Sequence, residues 1–326
     1  MKKFPLSVFR FPLSALLVLL FASCEKVVEF DIDDTQRRVV VNALPMTDST
    51  FFVNITYSRF FLDNQAFAPV TDVTVTLSAN GTPVAFAGRS EGNYNFAYTV
   101  AAGDSLELSV DIPGRPTITA ATRALAMPAV TSLTALIDTL QPITAGEIAF
   151  QLDDQQGLAN HYLIYIAERD SGSRWNRWEE RWDTIDTVRN AYFNCYNREV
   201  TDPTVNSEAG FMDYFTRLLF SDDNIDGQSY EMLLSIPMFK DTAEHPIQRQ
   251  YTLVVESLSP EAFTYITQVA ASQGAESYFA EPAQIYSNIN GALGIFAAIA
   301  RREFPITFTY KEADEPQTLQ RKPRKP

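Results

Sequence analysis

Apolar and polar residues alternate along most of the first half of the chain, and short polar breaks separate the alternating runs. Successive side chains of a β-strand point to opposite faces, so this period of two predicts strands with one buried face. The predicted strands are Val39–Leu44, Phe51–Tyr57, Val73–Leu77, Val84–Phe86, Tyr94–Val100, Leu106–Ile112 and Thr117–Thr122. The dipeptide Asn80-Gly81 predicts a tight hairpin, because both residues tolerate positive φ. Strands of this length and spacing predict an antiparallel sandwich of immunoglobulin-like size.

The second half of the chain is less regular but also contains many β-prone runs. Its predicted strands are Gly146–Leu152, His161–Ala167, Phe211–Phe220, Tyr230–Pro237, Tyr251–Ser257 and Phe304–Tyr310. One helix is also predicted, because Ser259 is a good N-cap, Pro260 suits the first helical position and Glu261 favours the positive end of the helix dipole. Apolar residues then recur at helical spacing as far as Gly274.

The chain of 326 residues exceeds the usual size of a single core, so two domains are expected. The predicted fold class is mainly β, with two β-sandwich-like domains, the first immunoglobulin-like and the second with one helix near its C-terminal part. The predicted segments are a signal peptide at 1–23, a lipidated acidic tether at 24–36, the first domain at 37–125, the second domain at 130–310 and a disordered tail at 311–326.

The N-terminus has the pattern of a lipoprotein signal peptide. Lys2, Lys3 and Arg10 precede a short apolar run at 11–21, and two small residues then lead to Cys24. The run is about half of the ~20 residues that a spanning helix needs, which argues against a transmembrane anchor. We therefore expect the mature chain to begin at Cys24, with acyl chains on this residue attaching the protein to a membrane.

Charge and cysteine content limit the partners and the disulfide bonds that are expected for this chain. The formal charge is −14, and the leader contributes only cations, so the mature chain is more acidic still. Such a surface repels nucleic acid and anionic headgroups, so no nucleic-acid partner is expected and the lipid must provide the membrane attachment. Cys195 is the one other cysteine, which leaves no intrachain disulfide in the mature protein. No motif implies a cofactor.

Two short motifs match functional sites incompletely. Residues 88–92 have the G-x-S-x-G pattern of hydrolases, which requires a strand-to-helix turn at the serine. The residues that follow alternate as a strand, so we expect a β-turn and assign no catalytic residue. Asp222, Asn224 and Asp226 match the first half of a calcium loop, but Leu233 occupies the position of its final acid. A polar turn is the favoured interpretation, and these three residues are weak candidates for a metal site.

The three tryptophans of the chain, Trp175, Trp178 and Trp182, lie in one short stretch and alternate with arginines. Their spacing would place the rings on one side of a helical turn, although a strand or a loop is also possible. Because Trp and Arg dominate binding hot spots, one interpretation is a partner-contact surface, and the rings could also stack on sugars. The alternative is that the three rings cover the core of the second domain.

Several stretches of the chain together resemble a known family. These stretches are Val39–Asn42, Ala68–Leu77, Asn80-Gly81, Gly92–Tyr94, Gly103–Leu106, Leu258–Pro260, Glu281-Pro282, Asn288-Ile289 and Gly291–Phe296. Over nearly the whole mature chain they resemble a Bacteroidota lipoprotein family that is defined only as a domain of unknown function, number 4249. Members of this family often carry a cysteine pair in the second domain, of which this chain has only Cys195.

The resemblance implies an outer-membrane location, with the body facing the cell exterior and the acids after Cys24 resembling a surface-export tag. It also implies a TonB-dependent transporter as partner, and it implies no established enzyme activity or ligand. We therefore expect a binding or accessory component of the outer membrane. Two alternatives stay open, which are a surface hydrolase of glycans or peptides and a structural or adhesive surface protein.

Overall fold

The computed structural model describes residues 37–59, 64–138, 144–201, 215–238, 247–274 and 285–310. The expected leader, Cys24, the tether and the tail at 311–326 lie outside the described residues, as do 211–214 of the predicted strand Phe211–Phe220. Within the described ranges, no helix combines the length and the apolar character that are needed to cross a membrane.

The first half of the described chain forms short strands in the order that the alternation predicts. They are β1 (Val39–Ala43), β2 (Phe52–Tyr57), β3 (Thr74–Ala79), β4 (Thr82–Pro83), β5 (Phe86–Ser90), β6 (Asn93–Phe96), β7 (Ser105–Asp111) and β8 (Ile118–Arg123). In β7 buried and exposed positions alternate strictly over most of the strand, as expected for a sheet with one buried face. Asn80 and Gly81 both have positive φ, of 52° and 75°, and form the predicted hairpin between β3 and β4.

The second half contains longer strands and one helix. The strands are β9 (Ala129–Asp138), β10 (Ala145–Asp153), β11 (His161–Asn176), β12 (Arg181–Asn190), β13 (Asn194–Cys195), β14 (Leu218–Ser221), β15 (Ser229–Pro237), β16 (Gln248–Leu258), β17 (Leu293–Phe296), β18 (Ile299–Ile306) and β19 (Thr309–Tyr310). The helix is α1 (Pro260–Gly274), and Ser259 caps it by accepting a hydrogen bond from the Ala262 N–H at 3.3 Å. The predicted final strand Phe304–Tyr310 is divided between β18 and β19.

Two sheets enclose the first core. Their strand orders are β17-β1-β2-β6-β5 and β4-β3-β7-β8, and the buried side chains between them include Val53, Leu77, Leu106 and Val110. Leu77 and Leu108 are paired across β3 and β7, which places both on the same face. This arrangement is sandwich-like, while the immunoglobulin-like topology stays a prediction.

Strand β17 comes from the far C-terminal part of the chain but pairs with β1 in parallel. Gly294 makes the close approach possible, because a Cβ at this position would overlap the carbonyl group of Val41. Phe296, at the end of β17, is fully buried in the first core. The C-terminal segment therefore contributes directly to the first sheet, and the division at residues 125–130 stays a prediction.

The second core lies between the sheet β13-β15-β10-β9-β19 and the sheet β12-β11-β16-β18, on which β14 also pairs with β11. Its fully buried side chains include Phe150, Ile164 and Leu253. The opposite face of the β11-containing sheet packs against α1 through Leu163, Leu258 and partners on the helix. The expectation of a mainly β fold with one helix near its C-terminal part is confirmed.

Candidate functional site

A hairpin arm extends from the sheet that contains β11. Strand β11 pairs with β16 only as far as Ser171, opposite Gln248, whereas its pairing with β12 continues to the end of the strand. Beyond that point, β11 and β12 pair only with each other in the described part of the chain. We call residues 172–185 the tryptophan arm. A two-stranded hairpin is only marginally stable in water, so the arm depends on the sheet at its base.

All three tryptophans lie in the tryptophan arm and are exposed. Trp175 and Trp182 are directly opposite each other, with ring centroids 5.6 Å apart, and each is about half exposed at 45% and 49%. Trp178 is in the connecting turn and is 96% exposed. The helical arrangement was therefore wrong for this stretch, because its residues form two strands and a turn. Core coverage, the alternative interpretation, does not fit these exposures either.

Polar contacts hold the turn of the tryptophan arm. The side-chain oxygen of Asn176 accepts hydrogen bonds from the backbone N–H groups of Trp178 and Glu179, at 3.0 and 3.2 Å. The amide of Asn176 donates to Asp183 at 2.8 Å, and Arg181 pairs with both Asp183 and Glu179. The hydrogen bond from Asn176, followed by Arg181, lowers the pKa of Asp183.

The end of the arm is electrically balanced although the whole chain is acidic. Its cations are Arg174, Arg177 and Arg181, and its anions are Glu179, Glu180 and Asp183. The formal charge of the chain is −14. The exposed rings are thus presented by a locally neutral surface, which removes the repulsion that most of the surface would exert on an anionic partner.

An ion-pair cluster anchors the base of the arm. Glu168 and Asp170 of β11 are both buried, and each lies 3.2 to 3.4 Å from the guanidinium groups of Arg189 and Arg249. Two cations therefore compensate two buried anions, which would be costly to bury unpaired. Burial, reinforced by Glu168, raises the pKa of the adjacent Tyr251 to about 12. The cluster ties β12 and β16 to the strand between them.

The calcium-loop candidates are only partly brought together. Asp222 and Asp226 lie close to each other, and Asp154, which directly follows β10, joins them with carboxylate oxygens within 4.8 Å. Asn224 takes no part in the cluster, because its amide donates to the carbonyl of Glu199 at 2.9 Å. Three carboxylates could supply the oxygen ligands that a hard cation prefers. Sequence reasoning missed Asp154, which is distant in the chain and carries no motif of its own.

Protein donors already occupy these carboxylates. The backbone N–H groups of Asn160, Gly157 and Gly227 donate to Asp222, Asp226 and Asp154, respectively, at 2.7 to 2.8 Å. Tyr162 also donates its hydroxyl to Asp154 at 2.7 Å. These hydrogen bonds fasten the turn at 222–228 to the loop after β10. The arrangement is that of a polar turn, as the sequence favoured.

The remaining candidate groups are the segment 88–92, Cys195 and His161, and each takes part in a turn or in packing. Ser90 ends β5, and Glu91 and Gly92, with φ of 49° and 81°, form a tight turn into β6, so the G-x-S-x-G segment is the expected β-turn. Cys195 of β13 is half-buried, and burial raises the pKa of its thiol to about 11. A thiol with this pKa is almost entirely protonated at neutral pH and is a poor nucleophile. His161 packs its ring 4.3 Å from Phe263.

Comparison with known proteins gives a family but no activity. No curated protein matches the chain. The family model described as "Domain of unknown function (DUF4249)" matches residues 25–304, which include both cores and the tryptophan arm. The match covers most of the described residues and confirms the family that the sequence resembles. The chain therefore belongs to the domain of unknown function family DUF4249.

Proposed function

We propose that this protein is a lipid-anchored accessory component of the outer membrane that binds a membrane-embedded partner through the tryptophan arm. The proposed partner is a TonB-dependent transporter. The observation that carries the proposal is the exposure of Trp175, Trp178 and Trp182 at the end of a projecting hairpin. Trp and Arg are the residues most enriched at binding hot spots, and the arm presents both.

Burial of the exposed rings would provide substantial binding free energy. Complete burial of a tryptophan removes roughly 200 Å² from water, which corresponds to about 5 kcal/mol at ~25 cal/mol per Å². Trp178 has almost all of its surface available for such burial. Loss of rotational and translational freedom offsets part of this gain on association. The arm is therefore able to support binding of moderate affinity without a large interface.

The lipid anchor expected at Cys24 would complement this contact. A lipid confines the protein to the plane of its membrane and raises its effective concentration near an embedded partner. The acidic chain is repelled by anionic headgroups, so the anchor and the arm would serve separate purposes. The anchor would provide proximity, and the arm would provide recognition.

Purification of the acylated protein from detergent-solubilised envelopes tests the proposal. We expect the wild-type protein to recover a barrel transporter, and we expect Trp178→Ala to reduce recovery by about tenfold or more, as for a hot-spot residue. Tyr192→Ala is a matched control, because Tyr192 is another exposed aromatic residue outside the arm. Melting temperatures should be equal in the three proteins. Absence of a barrel from the wild-type preparation, or full recovery by Trp178→Ala, would refute the proposal.

The same preparation separates the alternatives. Cleavage of glycans or peptides by the purified protein would favour a hydrolase. Self-assembly or attachment to a host surface would favour a structural or adhesive protein. Because all three tryptophans of the chain lie in the arm, their fluorescence reports on this surface alone. A blue shift on addition of the partner would place the rings at the interface.

A further inference from the structure

The outer edge of β12 is a long strand edge that no strand in the described part of the chain covers. The strand has ten residues, Arg181–Asn190, and pairs with β11 without a break in register. Most of its residues are exposed, including Val188 at 68%. The strand contains no proline, glycine or lysine, and four of its residues are β-branched. It is therefore well suited to accept hydrogen bonds from another strand.

The direction of the backbone groups follows from one hydrogen bond. The N–H of Ala191 donates to the carbonyl of Ile166 at 2.8 Å, just beyond the paired residues Ala167 and Asn190. In an antiparallel pair, alternate residues form hydrogen bonds with the partner strand. Ile185 and Thr187 accordingly bond to β11.

The residues between them have the opposite orientation. Thr184, Asp186 and Val188 direct their N–H and C=O groups away from β11, by the same alternation. Each of these residues offers one donor and one acceptor to an incoming strand. The spacing of alternate residues along β12 matches the spacing of an added strand, so several backbone hydrogen bonds could form together.

The other strands at sheet edges are protected, and β12 is the exception among the described strands. Strands β4, β13 and β19 have two residues each, and β14 and β17 have four. Strand β5 has an irregular register between Phe86 and Gly88, and β8 is bridged by Asn290. Strand β18 contains Pro305 and consecutive charges at 301–303. Short length, bulges, proline and charge are the usual devices that prevent strand addition. Strand β12 also carries charged side chains, but it is long, keeps a regular register and contains no proline, which distinguishes it from the other described edges.

The charges on β12 are satisfied within the hairpin. Asp186 pairs with Arg169 at 2.8 Å, Arg189 pairs with Glu168 at 3.2 Å, and Arg181 pairs with Asp183. The two cations and two anions of β12 also sum to zero. Unpaired charges on an edge strand oppose the approach of another strand, but these charges are already compensated. They leave the edge electrically neutral.

We propose that the outer edge of β12 binds an extended segment of a partner protein by strand addition. This inference rests on the proposed function, because β12 forms one strand of the tryptophan arm and continues beyond it to Asn190. The segment would be neutral or basic, with alternating side chains, and the exposed tryptophans would contact its end. A second copy of this chain is disfavoured as the occupant, since each copy carries a formal charge of −14.

Amide hydrogen exchange, resolved by NMR on the full acylated chain in detergent, tests the inference. The probe is a peptide of about nine residues that alternates threonine and valine and has lysine at both ends, a length typical of strands. We expect the peptide to slow exchange at Thr184, Asp186 and Val188 by about tenfold or more, as new backbone hydrogen bonds do. Exchange at Ile185 and Thr187, which bond to β11, should change little.

Two controls isolate the backbone contribution. The same peptide with N-methyl groups on alternate amides cannot form the ladder and should give no protection, and this control needs no change in the protein. Val188→Pro removes an outward N–H without removing a bond to β11 and should abolish protection, whereas Val188→Thr should retain it. The melting temperatures of the two variants establish that both are folded.

Unchanged exchange at the three outward amides with millimolar peptide would overturn the inference, as would equal protection by the N-methylated peptide. Protection that appears without peptide and grows with protein concentration would identify a second copy as the occupant and would also overturn it. The outcome is independent of the proposed transporter. Amide protection by the peptide without recovery of a barrel would reject the transporter as partner and support strand addition at β12. Recovery of a barrel without amide protection would support the transporter and reject strand addition.

Discussion

Trp175 and Trp182 face each other directly across the tryptophan arm, with their ring planes inclined at 63°. The hydrogen-bond alternation in this hairpin makes them a non-hydrogen-bonded pair, the kind in which side chains of opposite strands approach most closely. The contact lies beyond the last residue at which β16 supports β11. The two rings therefore stabilise the segment on which they are displayed, while about half of their surface stays available to a partner.

Replacement of Trp175 by alanine should loosen the arm and leave the rest of the fold intact. An aromatic pair contributes about 0.5–1.5 kcal/mol beyond its area burial, so the free energy needed to open the arm should fall by a comparable amount. Amide exchange at Ile185, which bonds to β11, reports this opening. Trp178→Ala is the control, since Trp178 lies in the turn and is almost fully exposed. Equal acceleration in both variants would contradict a stabilising pair.

Asp154→Ala should destabilise the protein through the turn at 222–228. Its carboxylate accepts hydrogen bonds from Tyr162, Gly227 and Asn160, at 2.7, 2.8 and 3.1 Å. Loss of this acceptor should lower the free energy of unfolding by roughly 2–4 kcal/mol, because several donors lose their partner at once. Urea unfolding measures the change.

An exposed acid in the same turn provides the comparison for Asp154. Asp223 is exposed and accepts a hydrogen bond from the hydroxyl of Ser221, the last residue of β14. Asp223→Ala should change the free energy of unfolding by less than about 0.5 kcal/mol, as is usual for surface substitutions. Similar losses in the two variants would show that Asp154 has no special part in fastening the turn.

Gly294→Ala should disrupt the pairing of β17 with β1. A Cβ at Gly294 would overlap backbone atoms of Val41, and the residue also has φ of +113°. Gly103→Ala is a matched control, because Gly103 has φ of +88° but nothing within 4 Å of a Cβ. Gly103→Ala should cost about 1 kcal/mol from backbone strain, and Gly294→Ala roughly 3 kcal/mol or more. Thermal unfolding that shifts equally in both variants would argue against the close contact.

His161 should make stability depend on pH. Burial lowers the pKa of its imidazole in the folded state, although Asp222, Asp223 and Glu261 oppose part of this effect. The unfolded chain, with a histidine pKa of about 6.5, then binds the proton more readily than the folded chain. The contribution of the neutral His161 to the free energy of unfolding is fully present above about pH 6.5 and is lost as the pH falls towards the lowered folded-state pKa.

Comparison of two variants identifies the residue responsible. His161→Phe should flatten the dependence of the unfolding free energy on pH just below about 6.5, because phenylalanine does not titrate. His245→Gln, which removes the other histidine of the chain, should leave this dependence in place. Urea unfolding at a series of pH values provides the measurement. An unaltered slope in His161→Phe would assign the dependence to other groups.

Local signals predicted much of the fold. The period of two located most strands of the first sheet pair, although the strand predicted at Val84–Phe86 is β5 at Phe86–Ser90 and β17 was not predicted. Asn80-Gly81 located a hairpin, and the sequence Ser259-Pro260-Glu261 located the start of α1. Each of these signals depends on residues that are close together in the chain. The tryptophan arm was harder to predict, because both of its strands are exposed and therefore lack the alternation of buried and exposed positions.

Contacts between distant segments had no local signal. Asp154 lies beside Asp222 because β10 pairs with β15 in one sheet and β11 pairs with β14 in the other, which brings the loop after β10 against the turn at 222–228. Strand β17 completes a sheet whose other strands come from the first half of the chain. Neither relationship follows from the spacing of residues. Pairing partners are selected by the burial and hydrogen bonding of the whole sheet, which no single segment specifies.

The sequence by itself determined the mainly β character, the place of the helix and the family, because alternation, capping residues and motifs are properties of neighbouring residues. Only the tertiary structure decided that the tryptophans stand exposed at the end of a hairpin and that β12 is the unprotected edge of its sheet. The physical reason is that exposure depends on which surfaces remain after all strands have paired. That outcome belongs to the assembled sheets and not to any segment within them.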